Sequence, residues 1–337
     1  MKSTKSGLLL AGDVGGTKTI LALVDHEHGA RHPVAEERFW SSDYPSLVEI
    51  IQEFVGEHGC RLGAVTIGVA GPVHENRVEV TNLPWEVDGA RLSEALAGAP
   101  VKLLNDLEAI ANGIPALEKN DSVVLKPGEV EEHGAIAIVA PGTGLGEAYL
   151  IWDGNRYRPV PSEGGHTDFA PATELELELL SYLMPRLGHV SYERVCSGVG
   201  IPNLYRFLRY TGRYDEPKWL ANELANAEDQ TPIIVQSAQD GSAEICTVAL
   251  DLFMSILGSE AGNLVLQAMA TGGVYLAGGI PPRIIDQLRS KAFLEAFTRK
   301  GRLSDVLHRV PISVIVNRKA ALYGAANHCL MTFANSG

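Results

Sequence analysis

Apolar and polar positions fall in short blocks along this chain, and the blocks predict strands and helices in turn. Gly7–Asp13 and Thr19–Val24 are apolar runs on either side of a glycine turn and predict the two strands of a hairpin. A third strand is expected near Val34–Trp40. Leu47–Glu57 carries Leu47, Ile50, Ile51, Phe54 and Val55 on one side of a helix. Ala64–Val69 reads as a buried strand, Leu92–Leu96 as a helix and Val101–Leu104 as a further strand. The middle repeats the opening: strand Ala135–Val139, turn Gly142-Thr143-Gly144, strand Glu147–Ile151. Two copies suggest a duplicated architecture with two lobes, although glycine turns between strands are common.

The second half is more helical. Ala243–Ala270 spaces Ile245, Val248, Ala249, Leu252, Ile256 and Leu257 for a buried stripe. Gly272 and Gly273 read as its C-terminal stop. Val274–Ala277 predicts a short buried strand before Gly278-Gly279, and Pro281-Pro282 suit the start of a helix. Ile312–Val316 predicts another strand and Ala320–Met331 a final helix. Tyr214–Gln239 is polar and irregular, and reads as a surface insertion.

The 337 residues suggest about two domains. With 45% hydrophobic and 20% charged residues the chain has the balance of a globular protein. A net charge of −13 and no dense basic run argue against nucleic acid as a partner. Cys60, Cys196, Cys246 and Cys329 are too scattered for a disulfide framework or a zinc knuckle. The apolar stretch Leu8–Ala11 is too short for a leader or a membrane span, so a cytoplasmic protein is expected.

Several segments have the chemistry of a site. Gly12-Asp13-Val14-Gly15-Gly16-Thr17 would bring phosphate oxygens close to backbone N–H groups, and Asp13 could hold Mg²⁺. It is not the P-loop pattern, which needs G-x-x-x-x-G-K-[ST] and a following helix. It reads equally as a plain hairpin turn. Gly142-Thr143-Gly144 offers the same cradle and the same bland alternative; two such turns could grip a triphosphate from two sides. Asn105-Asp106 follows a strand, where the cleft of an open α/β sheet lies. Asp106 there could accept a hydroxyl proton, or the pair could simply cap a helix. Glu163-Gly164-Gly165-His166 could present a carboxylate and an imidazole to hydroxyl groups, or be a surface loop. Gly278-Gly279 would let a flat base approach the backbone, and is also a tight turn. Glu193 is an undistinguished carboxylate by itself.

In order along the chain, these segments resemble the bacterial glucokinase family, which is similar to hexokinases within the actin-like ATPase superfamily. The resemblance rests on Gly12–Thr17, Ala70-Gly71-Pro72, Thr81–Trp85, Asn105-Asp106, Pro141–Gly146, Glu163–Pro171, Gly188–Arg194, Ser197-Gly198 and Ala277–Ile280. It spans nearly the whole chain, and the ordered set is far more specific than any one motif. It implies an α/β, two-lobed, ribonuclease H-like fold closing on a cleft. The small lobe would take residues 1–110 plus 318–337, and the large lobe 111–317. It implies ATP·Mg²⁺ as donor and glucose as acceptor. Asp106 would be the general base, and Asn105, Glu163, His166 and Glu193 would hold the other hydroxyls. Gly12–Thr17 and Gly142–Gly144 would grip phosphates, Gly278-Gly279 would flank adenosine, and the protein would be a homodimer.

Two residues depart from the pattern, Lys18 and Pro141, and both bear on the phosphate turns alone. The cysteine-rich zinc motif of related repressors is missing after His166, and no helix-turn-helix precedes Gly7, which favours the non-zinc branch. Three readings compete with a glucose kinase: a kinase of mannose, fructose or an N-acetylhexosamine, a silent sugar sensor, and an actin-like filament or chaperone ATPase. Polyphosphate or another nucleotide could replace ATP as donor.

Overall fold

The computed structural model describes residues 8–333. Gly7, which the sequence pattern adds to the first strand, lies outside them. The chain divides into two compact units. One takes Met1–Ser122, Tyr157–Pro159 and Asn317–Gly337, the other Val123–Arg156 and Val160–Val316.

The first unit holds β1 (Leu8–Val14), β2 (Lys18–Val24), β3 (Ala35–Trp40), β4 (Leu62–Val69), β5 (Arg77–Glu79), β6 (Glu86–Asp88) and β7 (Val101–Asn105). Five of them form a sheet in the order β3-β2-β1-β4-β7, and β5 and β6 pair separately. β1 and β2 are the antiparallel hairpin, while β1, β4 and β7 run parallel. The register sets Asp13 beside Gly68 and Gly68 beside Leu104, one row near the carboxyl ends of three strands.

The strands read as continuous apolar runs because both faces of the sheet are covered. On one face α1 (Leu47–His58) packs Leu47, Ile50, Ile51 and Phe54 against Leu10, Leu21 and Leu23. Burial of each such side chain contributes about 1.5–3 kcal/mol. α1 starts where the Ser46 hydroxyl accepts the Val48 N–H at 3.2 Å, and it stops at left-handed Gly59. On the other face the helix Ala320–Thr332 packs Leu322, Ala325 and Cys329 against Leu9, Ala11 and Ile20.

After a short α2 (Gly89–Ala95), the chain reaches α3 (Asp106–Gly113), which is wedged tightly. A Cβ on Gly68 would stand 2.8 Å from that of Ala109, and one on Gly324 would run into the Ala109 carbonyl oxygen. Asn327 also donates to the Asn112 carbonyl at 2.9 Å. Small residues on all three elements let α3 lie this close, and the position of its first residue, Asp106, follows from that packing.

The second unit repeats the plan. Its sheet consists of β8 (Ser122–Lys126), β9 (Ile136–Pro141), β10 (Leu145–Trp152), β11 (Tyr157–Ser162), β12 (Gly273–Leu276) and β13 (Ile312–Ile315), in the order β11-β10-β9-β12-β13-β8, all but Ser122 and Tyr157–Pro159 being counted in this unit. Again an antiparallel hairpin, β9–β10, is followed by strands parallel to its first member. The duplication expected from two glycine turns is therefore a duplication of strand order. Around this sheet lie α4 (Glu174–Leu187), α5 (Ile201–Thr211), α6 (Lys218–Asn226), α7 (Thr231–Gln239) and α8 (Glu244–Ala268). α8 is long and apolar enough to cross a membrane by composition, but most of it is buried as the central helix of this unit's core.

Two sequence expectations are corrected here. α8 does not stop at Gly272-Gly273: the left-handed residue at its end is Met269, with φ 48°. The glycines serve a close approach instead, since a Cβ on Gly272 would run into the Gly134 carbonyl oxygen while its N–H donates to Ala135 at 2.9 Å. Tyr214–Gln239 is not an irregular insertion either. It forms α6 and α7, which bury Leu220, Leu224 and Ile234 in the core. Their apolar stripes are only two or three residues each, too few to show as periodicity.

Candidate functional site

In the first unit the candidate groups gather at the carboxyl ends of β1, β4 and β7. The turn after β1 is held from inside: Gly15 N–H donates to the Lys18 carbonyl at 2.9 Å, and the Ser41 hydroxyl to the Gly15 carbonyl at 3.0 Å. Gly16 lies close against the backbone of Thr81; an added Cβ would stand 3.0 Å from the Thr81 oxygen. This contact brings Thr81–Trp85 against the glycine turn. Asp13, the penultimate residue of β1, has its carboxyl pushed up to about 6. Desolvation is the main cause, Lys18 opposes it and the charge of Asp106 adds to it. The two carboxylates therefore share one electrostatic field.

Asn105 and Asp106 divide the roles that the sequence left open between them. The cap of α3 is Asn105, whose side-chain oxygen accepts the Glu108 N–H at 2.6 Å. Asp106 is the first helical residue and is reachable by solvent, with one oxygen accepting the Leu107 N–H at 2.9 Å. A helix N-terminus should lower its pKa. Desolvation by the surrounding protein wins, and the carboxyl sits above the ordinary carboxylate range.

In the second unit Glu163, His166 and Glu193 converge, though Glu193 is distant in sequence. Residues 164–166 make a single 3₁₀ turn. His166 lies between the two carboxylates, with Nε2 3.9 Å from Glu163 and Nδ1 3.9 Å from Glu193. Those separations exceed a hydrogen bond, so the ring nitrogens are not consumed by either neighbour. Glu193 is fixed from below: its backbone N–H donates to Gly165 at 2.8 Å, and its Oε2 accepts the Leu145 N–H at 3.1 Å. A Cβ on Gly144 would meet that same oxygen and displace the Glu193 carboxylate. The carboxylate cluster and the Gly142–Gly144 turn are thus one piece of structure.

The turn itself is strapped to its surroundings. Gly198 N–H donates to the Gly142 carbonyl at 2.8 Å, and the Thr231 hydroxyl donates to the Gly198 carbonyl at 2.6 Å. Beside it opens a cavity of about 820 Å³, lined by Gly142, Thr143, Gly279, Ile280, Gln230 and Thr231 among others. That is at the upper end of the size of small-ligand sites. Of the glycine pair after β12, Gly279 faces the cavity, whereas Gly278 (φ 82°) makes the turn against the Pro141 carbonyl. The far wall comes from residues 227–239 and from Arg206, which donates to Gln230 at 2.8 Å. Sequence reading missed this wall, and a Thr-Pro pair opening α7 was the one available signal. Among the described residues no group of three or more His, Cys, Asp or Glu is placed to hold a metal ion.

The chain resembles known proteins over nearly its whole length. A family model described as glucokinase matches residues 10–332. A glucokinase of Nostoc sp. is 40% identical over 95% of this chain and 98% of its own length. The crystal structure of a glucokinase from an Antarctic psychrotroph superposes with a TM-score of 0.85, at 31% identity, covering 96% of this chain and 99% of that one. A ROK family glucokinase from Streptomyces griseus, solved with glucose and AMPPNP, shares the fold at a TM-score of 0.60 and 22% identity, over 96% of this chain and all of that one.

Proposed function

The chain belongs to the glucokinase family and catalyses the ATP-dependent phosphorylation of glucose; from that premise we propose which of its residues perform the transfer. Asp106 is the general base. Its carboxylate takes the proton of the sugar 6-hydroxyl as that oxygen attacks the γ-phosphorus, and ADP leaves in line. The raised carboxyl makes it a stronger base than an ordinary aspartate. Asn105, Glu163, His166 and Glu193 hold the remaining hydroxyls. A sugar with a missing or inverted hydroxyl leaves one of these groups unpaired, which is a strong basis for selection.

The triphosphate lies on the two glycine turns, Gly12–Thr17 with Val14 and Gly15 in its frame, and Gly142–Gly144. The adenosine occupies the cavity beside Thr143 and Gly279. Asp13 suits a divalent cation: it is a desolvated carboxylate with Asp106 adding to its discomfort. Mg²⁺ held there would supply neutralisation of phosphate charge. By family resemblance the working form is a cytoplasmic homodimer, a state that sedimentation of the purified protein checks.

The observation that carries the assignment is the row of strand ends that sets Asp13 and Asp106 in one field. The test is a coupled assay of glucose 6-phosphate formation with Asp106→Asn. Turnover should fall by about 10²–10⁴-fold, with unfolding temperature and ATP affinity close to native. A folded variant with near-native turnover removes Asp106 from the role.

A further inference from the structure

Behind the Glu163–His166 turn lies a pair of buried acids that the transfer chemistry does not use. Glu147 of β10 and Glu260 of α8 are each 1% exposed. Glu147 Oε2 sits under Gly164, so close that a Cβ on Gly164 would collide with it. Glu147 Oε1 is buried with no hydrogen-bond partner. Glu260 is better supplied: Asn263 donates to its Oε2 at 2.8 Å and reaches the Tyr192 hydroxyl at 3.0 Å with the same amide. Lys300 in turn donates to the Asn263 oxygen at 2.6 Å and to the Ser259 carbonyl at 2.8 Å. The cation and the amide favour a charge on Glu260. An ionised Glu147 would leave a charged oxygen buried and unpaired, which is far costlier than an unpaired neutral carbonyl. Burial and the unpaired Oε1 thus favour one proton on the pair, carried by Glu147, with Glu260 the charged member acting on it.

We infer that Glu147 and Glu260 share one proton and act together as a positioning device, seating the Glu163–His166 turn through Gly164 and Glu193 through its neighbour Tyr192. The inference rests on the reading of Glu163, His166 and Glu193 as hexose ligands. Loss of the proton sets two carboxylates against each other directly beneath Gly164, and the hexose set is displaced while Asp106 is untouched.

Burial and the charge of Glu260 push the Glu147 carboxyl up to about 8, which sets the window. The other titratable groups facing the pair are Tyr149, Tyr192, Cys196 and Lys300. Burial raises Tyr149 to about 12 and lifts the Tyr192 hydroxyl and Cys196 thiol further from neutrality. Desolvation lowers Lys300, with Glu260 and Glu176 opposing and Arg299 reinforcing.

The test follows KM for glucose and kcat from pH 6 to pH 9.5 in the intact enzyme, Glu147→Gln and Glu260→Gln. Glutamine keeps the volume and mimics the protonated acid. In the intact enzyme KM should rise about tenfold per pH unit above the pair's titration, with kcat at saturating glucose within about twofold. In Glu147→Gln the rise should vanish. An infrared carbonyl band of a protonated carboxyl should be present at pH 7 in the intact enzyme, fade by pH 9.5, and be missing in Glu147→Gln. This band needs no variant that folds. A KM rise that persists in both variants, or no band at pH 7, overturns the inference. Glu163→Gln and His166→Ala run alongside: if neither changes KM for glucose, the hexose reading falls and takes the inference with it. If they do weaken glucose while the alkaline rise survives in Glu147→Gln, the inference alone falls.

Discussion

The hairpin turns β1–β2 and β9–β10 occupy the same place in two sheets of the same strand order, yet they are furnished differently. The first is flanked by charge: Asp13 before it, Lys18 after it, Asp106 within its field. The second is flanked by Pro141 and Leu145, and its contacts are nearly all backbone, with a single carboxylate, Glu193, reaching an amide. A duplicated scaffold has been given reactive charge in one copy and a rigid backbone cradle in the other. On the proposed assignment, the strand order supplies two places where a phosphate can be approached, while the side chains decide which place does chemistry.

That contrast can be broken by experiment. Asp106→Ala should remove about 10²–10⁴-fold of kcat and leave KM for ATP near native. If Thr143→Ala, in the other turn, loses kcat as deeply, the division of labour is wrong. Asp13→Asn should make the ligand-free protein more stable by about 2–3 kcal/mol above pH 6, because an aspartate raised to about 6 is costly to keep ionised. The sign follows from the raised value: native Asp13 stabilises below the unfolded aspartate range and loses that contribution as pH climbs through about 6. Thermal unfolding at pH 4.5 and 7.5 checks it; the advantage of the variant must shrink at the lower pH. Gly144→Ala should raise KM for glucose about tenfold with kcat largely kept, since the new Cβ displaces the Glu193 carboxylate. Steady-state kinetics in which only ATP is affected would detach Glu193 from the sugar. Thr231→Val should have the smallest effect, about fivefold in KM for ATP, for the loss of one hydrogen bond to the Gly198 carbonyl.

Much of this was legible in the chain because it is written locally. The glycine turns, the apolar strands beside them and the long apolar period of α8 are properties of short windows, and each appears where the pattern puts it. Asn105-Asp106 was readable as a cap or as a base; what no window could show is that Asn105 alone makes the cap and leaves its neighbour free. The convergence of Glu163, His166 and Glu193 came through family resemblance, since nothing local ties residue 193 to residue 166. The wall of the large cavity was opaque because it is made by α7 and the loop before it, and α7 buries only Ile234 and Ser237. Glu147 was invisible for a different reason: it reads as an ordinary residue of a strand, and its buried partner lies on a distant helix.

The close seat of the helix Ala320–Thr332 on α3 has a consequence for how the protein is made. The helix that begins with Asp106 leaves the ribosome early, but the surface it wedges against is synthesised much later; Asn112 and Asn327, which bond across that seam, are 215 positions apart. Until then α3 has one neighbour in place of two, and a helix of eight residues is not stable unsupported. Every residue of the second unit is translated in the interval. The nascent chain is therefore expected to bring out the whole second unit before α3 gains this second support.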